Sequence, residues 1–411
     1  MEQEPEETEV IRFPLSPPSC FCLNEKMRQN LLSVAVAVSA MAAVGADSEL
    51  RQGKFRTPEE ARADLKELAK SYPDLAAWRT RAAAIRRGIL EGAGLDPLPK
   101  RTPLNPVRHS VRKLDGYSVE NVGLETAPGL FLAGNLYLPS EASSRMPVVL
   151  CPHGHWQKGD WNERGRYRPD MQHRCAAMAR MGCAVFAYDM IGYGDSEKQG
   201  WVHKKTPKVL ALQLWNSVRA LDFMLGLPGA DPGRVAVTGA SGGGTQTFLL
   251  AAVDERITLS APCVMVSAHF YGGCDCESGL PVHVRPGHTT NNLEIAAIIA
   301  PRPLLVISNG KDWTSTVPEL EFPHLRHIYT LFDAEDMVEN AHFEEEGHDY
   351  GPSKRKALYA FLGRHFGLDA PGVDESRTET LDHSDLLVFT ETHPLPEHAL
   401  KFGDAVELSA P

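Results

Sequence analysis

The chain has 411 residues, of which 43% are hydrophobic and 23% charged, and its formal net charge is −11. Such a make-up suits one large globular domain with extensions, or two medium ones. The acidic balance argues against a nucleic-acid partner, which calls for a basic surface facing the phosphate backbone.

Residues 1–26 hold six Glu against Arg12 and Lys26, with Pro14, Pro17 and Pro18 interrupting any helix. Met27-Arg28-Gln29-Asn30 then leads into the apolar run Leu31 to Val44 and the small residues Gly45-Ala46 before Asp47. A basic start, a short apolar core and a small-residue end are the three parts of a secretory signal peptide, and the run is short for a membrane span. The expectation is therefore an exported protein, periplasmic or extracellular, read from Met27, with 27–46 as signal peptide and 1–26 as a non-native or disordered leader. A buried helix is the alternative for 27–46. Six cysteines follow the leader: Cys151, Cys175, Cys183, Cys263, Cys274 and Cys276. Cys151, Cys183 and Cys263 stand in apolar runs, where a small buried thiol is the common reading, so a disulfide framework is not implied.

Residues 47–104 read as a helical extension. Thr57-Pro58-Glu59-Glu60 supplies an N-cap, a proline at the first helical position and a capping-box glutamate, and Gly92 and Gly94 stop the helical stretch. From 105 to 368 the texture is that of a catalytic α/β domain. Tyr117 to Val122 and Leu130 to Leu138 are β-rich around a Pro128-Gly129 turn. Continuous apolar runs at 148–151, 184–188, 235–238, 259–267 and 304–308 then alternate with helical stretches at 170–181, 207–226, 242–253, 292–299 and 354–366. That alternation predicts a mainly parallel sheet covered by helices on both faces, an α/β fold. Residues 369–411 form a polar appendage with one strand-like run, Leu386 to Thr390.

Gly239-Ala240-Ser241-Gly242-Gly243 follows an apolar strand and opens a helix. This strand–turn–helix setting is that of a nucleophile elbow, in which G-x-S-x-G exposes a serine hydroxyl on a strained turn. A phosphate-binding turn is the alternative, but no Lys follows as in a P-loop. Serine needs a base, and the base an acid to fix its tautomer; in this fold they follow in the order Ser, Asp or Glu, His. Asp312, after the strand ending near Ser308, and His348, before the helix 354–366, fit that order, with Asp333, Glu335 and Asp336 as rival acids. Two backbone amides must face the developing oxyanion. Gly242 supplies one, and His155 in Pro152-His153-Gly154-His155-Trp156 is the candidate for the other. His153 and His155 could also be read as metal ligands. No third residue has the spacing of a zinc site, so the expectation is no metal.

The segments His153 to Trp156, Tyr188 to Ser196, Gly239 to Thr247, Cys274-Asp275-Cys276-Glu277, Ala300 to Pro303, Asn309 to Trp313 and Glu346 to Gly351 resemble bacterial α/β-hydrolases of the acetyl xylan esterase-like and dienelactone hydrolase-like group. The resemblance spans about residues 105–368 and implies the α/β-hydrolase fold, a Ser–Asp–His triad, no cofactor and cleavage of carbohydrate esters. Two departures stand out. Ser241 occupies the place of the cysteine nucleophile of true dienelactone hydrolases. Gly242 occupies the place of the arginine that follows the nucleophile in glucuronoyl esterases.

Carboxylic ester hydrolysis is thus the expected activity, on an acetylated oligosaccharide or polysaccharide, with Trp156, Trp161 and Trp313 as candidate stacking residues. His155, Lys158, Asp160 and Arg164 would share the rim of the site, and the glycines after Ser241 favour a small acyl group. A prolyl-oligopeptidase-type peptidase would share the elbow, but residues 47–104 leave no room for a propeller. A hydrolase fold serving only as a binding protein would lack a triad member. For the exported form, N-terminal sequencing of secreted protein should begin at Asp47; retention of an intact chain from Met1 inside the cell would contradict export.

Overall fold

The computed structural model describes residues 56–141, 143–156, 159–370 and 372–408. The leader, the signal-peptide segment, Asp47 and Lys158 lie outside the described residues.

Among the described residues two helices precede the sheet, α1 (Pro58–Ser71) and α2 (Leu75–Ala93). The Thr57 hydroxyl accepts from the Glu60 amide at 3.2 Å, and the Glu60 carboxylate accepts from the Thr57 amide at 2.8 Å. Pro73 cannot donate to a continuing helix, and Asp74 caps the next one by accepting from the Ala77 amide at 2.9 Å, so the helical stretch is split. Gly94, at φ 68°, closes α2 in the left-handed conformation.

Among the described residues the central sheet has nine strands: β1 (Val107–Leu114), β2 (Tyr117–Ala127), β3 (Leu130–Pro139), β4 (Met146–Pro152), β5 (Ala184–Tyr188), β6 (Ala230–Ala240), β7 (Leu259–Cys263), β10 (Leu304–Asn309) and β11 (Val338–Phe343). A separate two-stranded ribbon, β8 (Val284–Arg285) with β9 (His288–Thr289), stands outside it. The order is β1-β2-β3-β5-β4-β6-β7-β10-β11. β1, β2, β3 and β5 pair antiparallel, and every pair from β5–β4 to β10–β11 is parallel.

Alternating residues of the parallel strands feed two cores, as the pleat requires. Val148, Leu150, Val235, Val237, Leu304 and Val306 join Ile85 and Ile89 of α2 on one face. Here too lie α4 (Val209–Leu225) and α5 (Gly242–Val253). Val149, Cys151, Ala236, Leu305 and Ile307 face α3 (Pro169–Arg180) and α9 (Pro352–Phe366) on the other. The sheet is therefore mostly parallel with helices on both sides. Between β9 and β10 comes α7 (Asn292–Ala297), and between β10 and β11 a further helix, α8 (Phe322–Thr330), which the sequence reading did not include. Among the described residues no helix is long and apolar enough to cross a membrane.

Two expected strands differ. The run 259–267 ends as a strand at Cys263, because Val264 turns to φ 48°. The run 386–390 makes no strand: Leu386 ends the short helix α10 (His383–Leu386), and the backbone beyond it is taken up by buried side chains. Arg166, fully buried, donates to the Leu386 carbonyl at 2.8 Å and to the Asn135 side chain. Its other nitrogens pair with Asp189 at 2.8 Å and Asp195 at 2.5 Å. Asp195 in turn accepts from the amides of Val388 at 3.1 Å and Phe389 at 2.9 Å. Apolar side chains in this segment look strand-like in sequence, but its hydrogen bonds go to side chains instead of a ladder.

Removing one member of such a cluster leaves uncompensated buried charge. Arg166→Ala should lower the unfolding free energy by about 3–5 kcal/mol, read from urea denaturation. A loss well under 1 kcal/mol would mean that Asp189 and Asp195 do not need this partner.

Candidate active site

Ser241 lies on the turn between β6 and α5 at φ 56°, ψ −126°. A serine held there stores roughly 1–3 kcal/mol of backbone strain, and the surrounding backbone maintains it. Its amide donates to the Cys263 carbonyl at 3.1 Å, and its carbonyl accepts from the Thr245 amide at 3.0 Å. The glycines of the motif are there for close approach. A Cβ on Gly239 or on Gly243 would run into the Pro152 carbonyl oxygen, and one on Gly154 would stand 2.6 Å from the Ala240 carbonyl. The segment that ends β4 is thus pressed against the elbow. A Cβ on Gly242 would meet the His155 ring at 2.6 Å and the Met190 methyl at 2.9 Å. The amides of Gly242 to Gly244 open α5 and have no partner within the helix.

Asp312 follows β10 and His348 follows β11, both at the C-terminal ends of parallel strands. The His348 Nδ1 and the Asp312 Oδ2 are 2.6 Å apart. The other Asp312 oxygen accepts from the Thr314 amide and hydroxyl, each at 2.6 Å. Burial pushes the Asp312 carboxyl up, but the hydrogen bonds from His348 and Thr314 outweigh it and hold the group below the usual carboxylate range. It is therefore ionised at neutral pH. The rivals Asp333, Glu335 and Asp336 are exposed and precede β11, at the opposite end of that strand from His348.

Two positioning side chains were not legible in the sequence. The Asn309 amide group donates to Asp312 at 3.1 Å and to the Gly347 carbonyl at 2.6 Å, tying the acid loop to the histidine loop. Lys354, buried in α9, donates to Glu346 at 2.9 Å, Gly347 at 2.9 Å and Asp349 at 2.6 Å, gripping the chain on both sides of His348. The Tyr350 hydroxyl meets that of Thr238, on β6 just before the elbow, at 2.7 Å.

Of the three tryptophans, two border His348. Trp313 lies 4.5 Å from its ring and stacks on Phe270 at 4.0 Å; Trp156 lies 6.3 Å from it, with the Arg168 guanidinium 4.6 Å over the Trp156 ring. Trp161 instead stacks on His383 at 5.9 Å, against the C-terminal segment, and is not brought to the histidine. A cavity of ≈ 920 Å³ lies between α9 and residues 368–376 and is lined by none of Ser241, Asp312 or His348.

The two histidines after β4 have opposite environments. His153 accepts from the Met190 amide at Nε2 (3.0 Å) and is 2.8 Å from the Gly154 carbonyl at Nδ1, so one nitrogen accepts and the other donates. Burial pushes its pKa down to about 3, and with both nitrogens occupied it is neither base nor ligand. His155 points instead toward Cys276, Nε2 to Sγ 3.0 Å. His203 and Cys274 join them, the four ligand atoms lying within 4.8 Å of one another. Sequence spacing concealed this group, the one set among the described residues that could hold a metal ion.

Fold and site together define an α/β-hydrolase of the esterase type. A family profile described as Acetyl xylan esterase (AXE1) matches residues 95–272. The solved structure of methylesterase BT1017 is 39% identical, covers 85% of this chain and 78% of its own, and superposes with a TM-score of 0.78. A glucuronoyl esterase from Solibacter usitatus, 20% identical over 70% of this chain and 93% of its own with a TM-score of 0.50, shares the fold. YtaP of Bacillus subtilis (strain 168), named as a hydrolase, is 26% identical over 53% of this chain and 78% of its own. The chain belongs to the acetyl xylan esterase-like family of α/β-hydrolases, and it is a carboxylic ester hydrolase.

The His153 ring carries a pH dependence. Folded, it stays neutral down to about 3; unfolded, it takes up a proton below its ordinary value of 6.5. Acid therefore favours the unfolded chain, and this contribution to stability is complete above 6.5 and lost as the pH falls below it. Between pH 7 and pH 5 it should amount to about 2 kcal/mol. In His153→Gln the difference in urea-unfolding free energy between these two pH values should shrink by that amount, and an unchanged difference would show that the folded ring takes up the proton too.

Proposed function

We propose that the protein hydrolyses small esters carried on carbohydrate, through Ser241 as nucleophile, His348 as general base and acid, and Asp312 as the group that orients it. The observation that carries this reading is the 2.6 Å His348–Asp312 contact on loops that follow β10 and β11, on the sheet edge where β6 delivers Ser241. The Ser241 hydroxyl gives its proton to His348 as its oxygen attacks the ester carbonyl. The Gly242 and His155 amides receive the oxyanion. The tetrahedral adduct collapses, the alcohol leaves with the proton held by His348, and water, activated by the same ring, releases the acid. Ionised Asp312 keeps the proton of the neutral ring on Nδ1 and stabilises the imidazolium that forms.

For the ester itself, a methyl ester of an acidic sugar is the first reading, because the relative aligned over most of both chains at 39% identity is named a methylesterase. In that case the sugar forms the acyl-enzyme and methanol leaves. The acetyl ester of a neutral sugar, which the family profile favours, is the second; there the acetyl group stays on Ser241 and the sugar leaves. Trp156 and Trp313, whose rings both lie near His348, suit stacking on a sugar ring in both.

A fluorophosphonate probe should label the wild type once per chain and leave Ser241→Ala unlabelled. Asp312→Asn should lose roughly 10⁴-fold in kcat, the scale of the same change in a serine protease. Methanol and acetate release should then be measured on methyl-esterified acidic oligosaccharides and acetylated xylo-oligosaccharides. Methanol alone supports the first reading, acetate alone the second. Equal labelling of wild type and Ser241→Ala would remove the nucleophile, and turnover rising steadily from acetyl to octanoyl aryl esters with neither sugar product would remove carbohydrate as the substrate.

A further inference from the structure

Three segments distant in sequence meet beside the elbow. They are the loop after β4 with His155, the helical turn His203–Lys205, and the short helix α6 (Asp275–Ser278), which is flanked by Cys274 and carries Cys276. The ligand atoms of His155, His203, Cys274 and Cys276 lie within 4.8 Å of one another. A tetrahedral zinc ion with ordinary Zn–S and Zn–N bonds sets its ligand atoms about 3.3–3.8 Å apart. Side-chain adjustments of about 1 Å would close this shell.

The histidines are already arranged as ligands are. His203 is 4% exposed, and its Nδ1 lies 2.6 Å from the Ile191 carbonyl, which fixes the N–H there and leaves the lone pair on Nε2. That Nε2 is buried with no nitrogen or oxygen partner among the described residues and has the cysteine sulfurs of the cluster beside it, so ligation would satisfy it. His155 has its Nδ1 3.3 Å from the buried Glu277 carboxylate and its Nε2 on the cluster. A carbonyl or carboxylate on the far nitrogen is the usual support of a metal-bound imidazole. Both cysteines are free thiols, and two thiolates with two imidazoles select zinc-class transition metals over magnesium or calcium.

We propose that His155, His203, Cys274 and Cys276 bind one zinc-class ion in a closed tetrahedral shell. Four protein ligands leave no open position, so the ion is structural. It clasps the loop that bears His155, whose ring packs on Gly242, to the 274–278 segment and to the turn at His203. The site takes no part in the ester chemistry and does not rest on that reading.

The full chain, purified under reducing conditions, would be incubated with zinc sulfate, desalted and assayed for metal by mass spectrometry, alongside a Cys274→Ser/Cys276→Ser variant. About one zinc per chain is expected in the wild type and none above background in the variant. Cobalt loading of the wild type should give the intense visible absorption of tetrahedral thiolate coordination, a readout that needs no variant to fold. Zinc should also shield two thiols from a thiol reagent until a chelator is added. Wild-type protein that keeps no more zinc than the variant would overturn the proposal. So would cobalt-loaded protein without thiolate charge-transfer bands, or a Cys274–Cys276 disulfide that persists in reductant. Metal content is read without substrate, so zinc in an enzyme inactive on every ester would sink the hydrolase reading alone, and activity without zinc this one alone.

Discussion

The Pro152 carbonyl oxygen sits so close to the turn after β6 that neither Gly239 nor Gly243 could carry a side chain. Much of the site depends on that approach. It presses the end of β4 against the elbow and sets the loop bearing His155 over the start of α5. The serine between the two glycines cannot relax into an ordinary dihedral, because its amide and carbonyl are both engaged. Strain at one residue is tolerated because the strands on either side of β6, β4 and β7, hold the backbone from both directions.

What could be read from the sequence was what is local. The elbow shows as glycines at fixed offsets from a serine, and the parallel strands as continuous apolar runs. Asp312 and His348 follow from chain order, since a parallel sheet brings the ends of β10 and β11 to one edge. Lys354 and Asn309 could not be found this way: a lysine in a helix and an asparagine at a strand end are ordinary in sequence, and only burial and loop contact give them their tasks. The four clustered ligands were hidden for a related reason. Each pair of neighbours is separated by whole elements of the fold, apart from the two cysteines, so no spacing rule applies. The 386–390 run was misjudged because apolar side chains look alike whether they join a ladder or bury a tail, and the tail in turn takes up Trp161 through His383.

Histidine serves three ends within this small region, and the difference lies in what the second ring nitrogen meets. In His153 the backbone takes both nitrogens, one as acceptor and one as donor, and the ring is a neutral packing unit. In His348 one nitrogen faces a carboxylate held in its ionised form by Thr314 as well, which fixes the ring's orientation and tautomer. In His203 one nitrogen is fixed by a carbonyl and the other is left with a buried lone pair. One neighbour decides whether the same imidazole packs, turns its N–H to a carboxylate or offers a buried lone pair.

The Arg166 cluster bears on how the protein is made. Asp195 takes two of its hydrogen bonds from amides 193 and 194 residues further along the chain. At ribosomal speeds that separation is a delay on the order of 10–40 s. During that interval the charges cannot be fully sealed, however well the strands around them have paired. The cluster is therefore completed by residues 386–389, a short stretch without a ladder of its own, and any route to the native state that starts from the N-terminus closes it last.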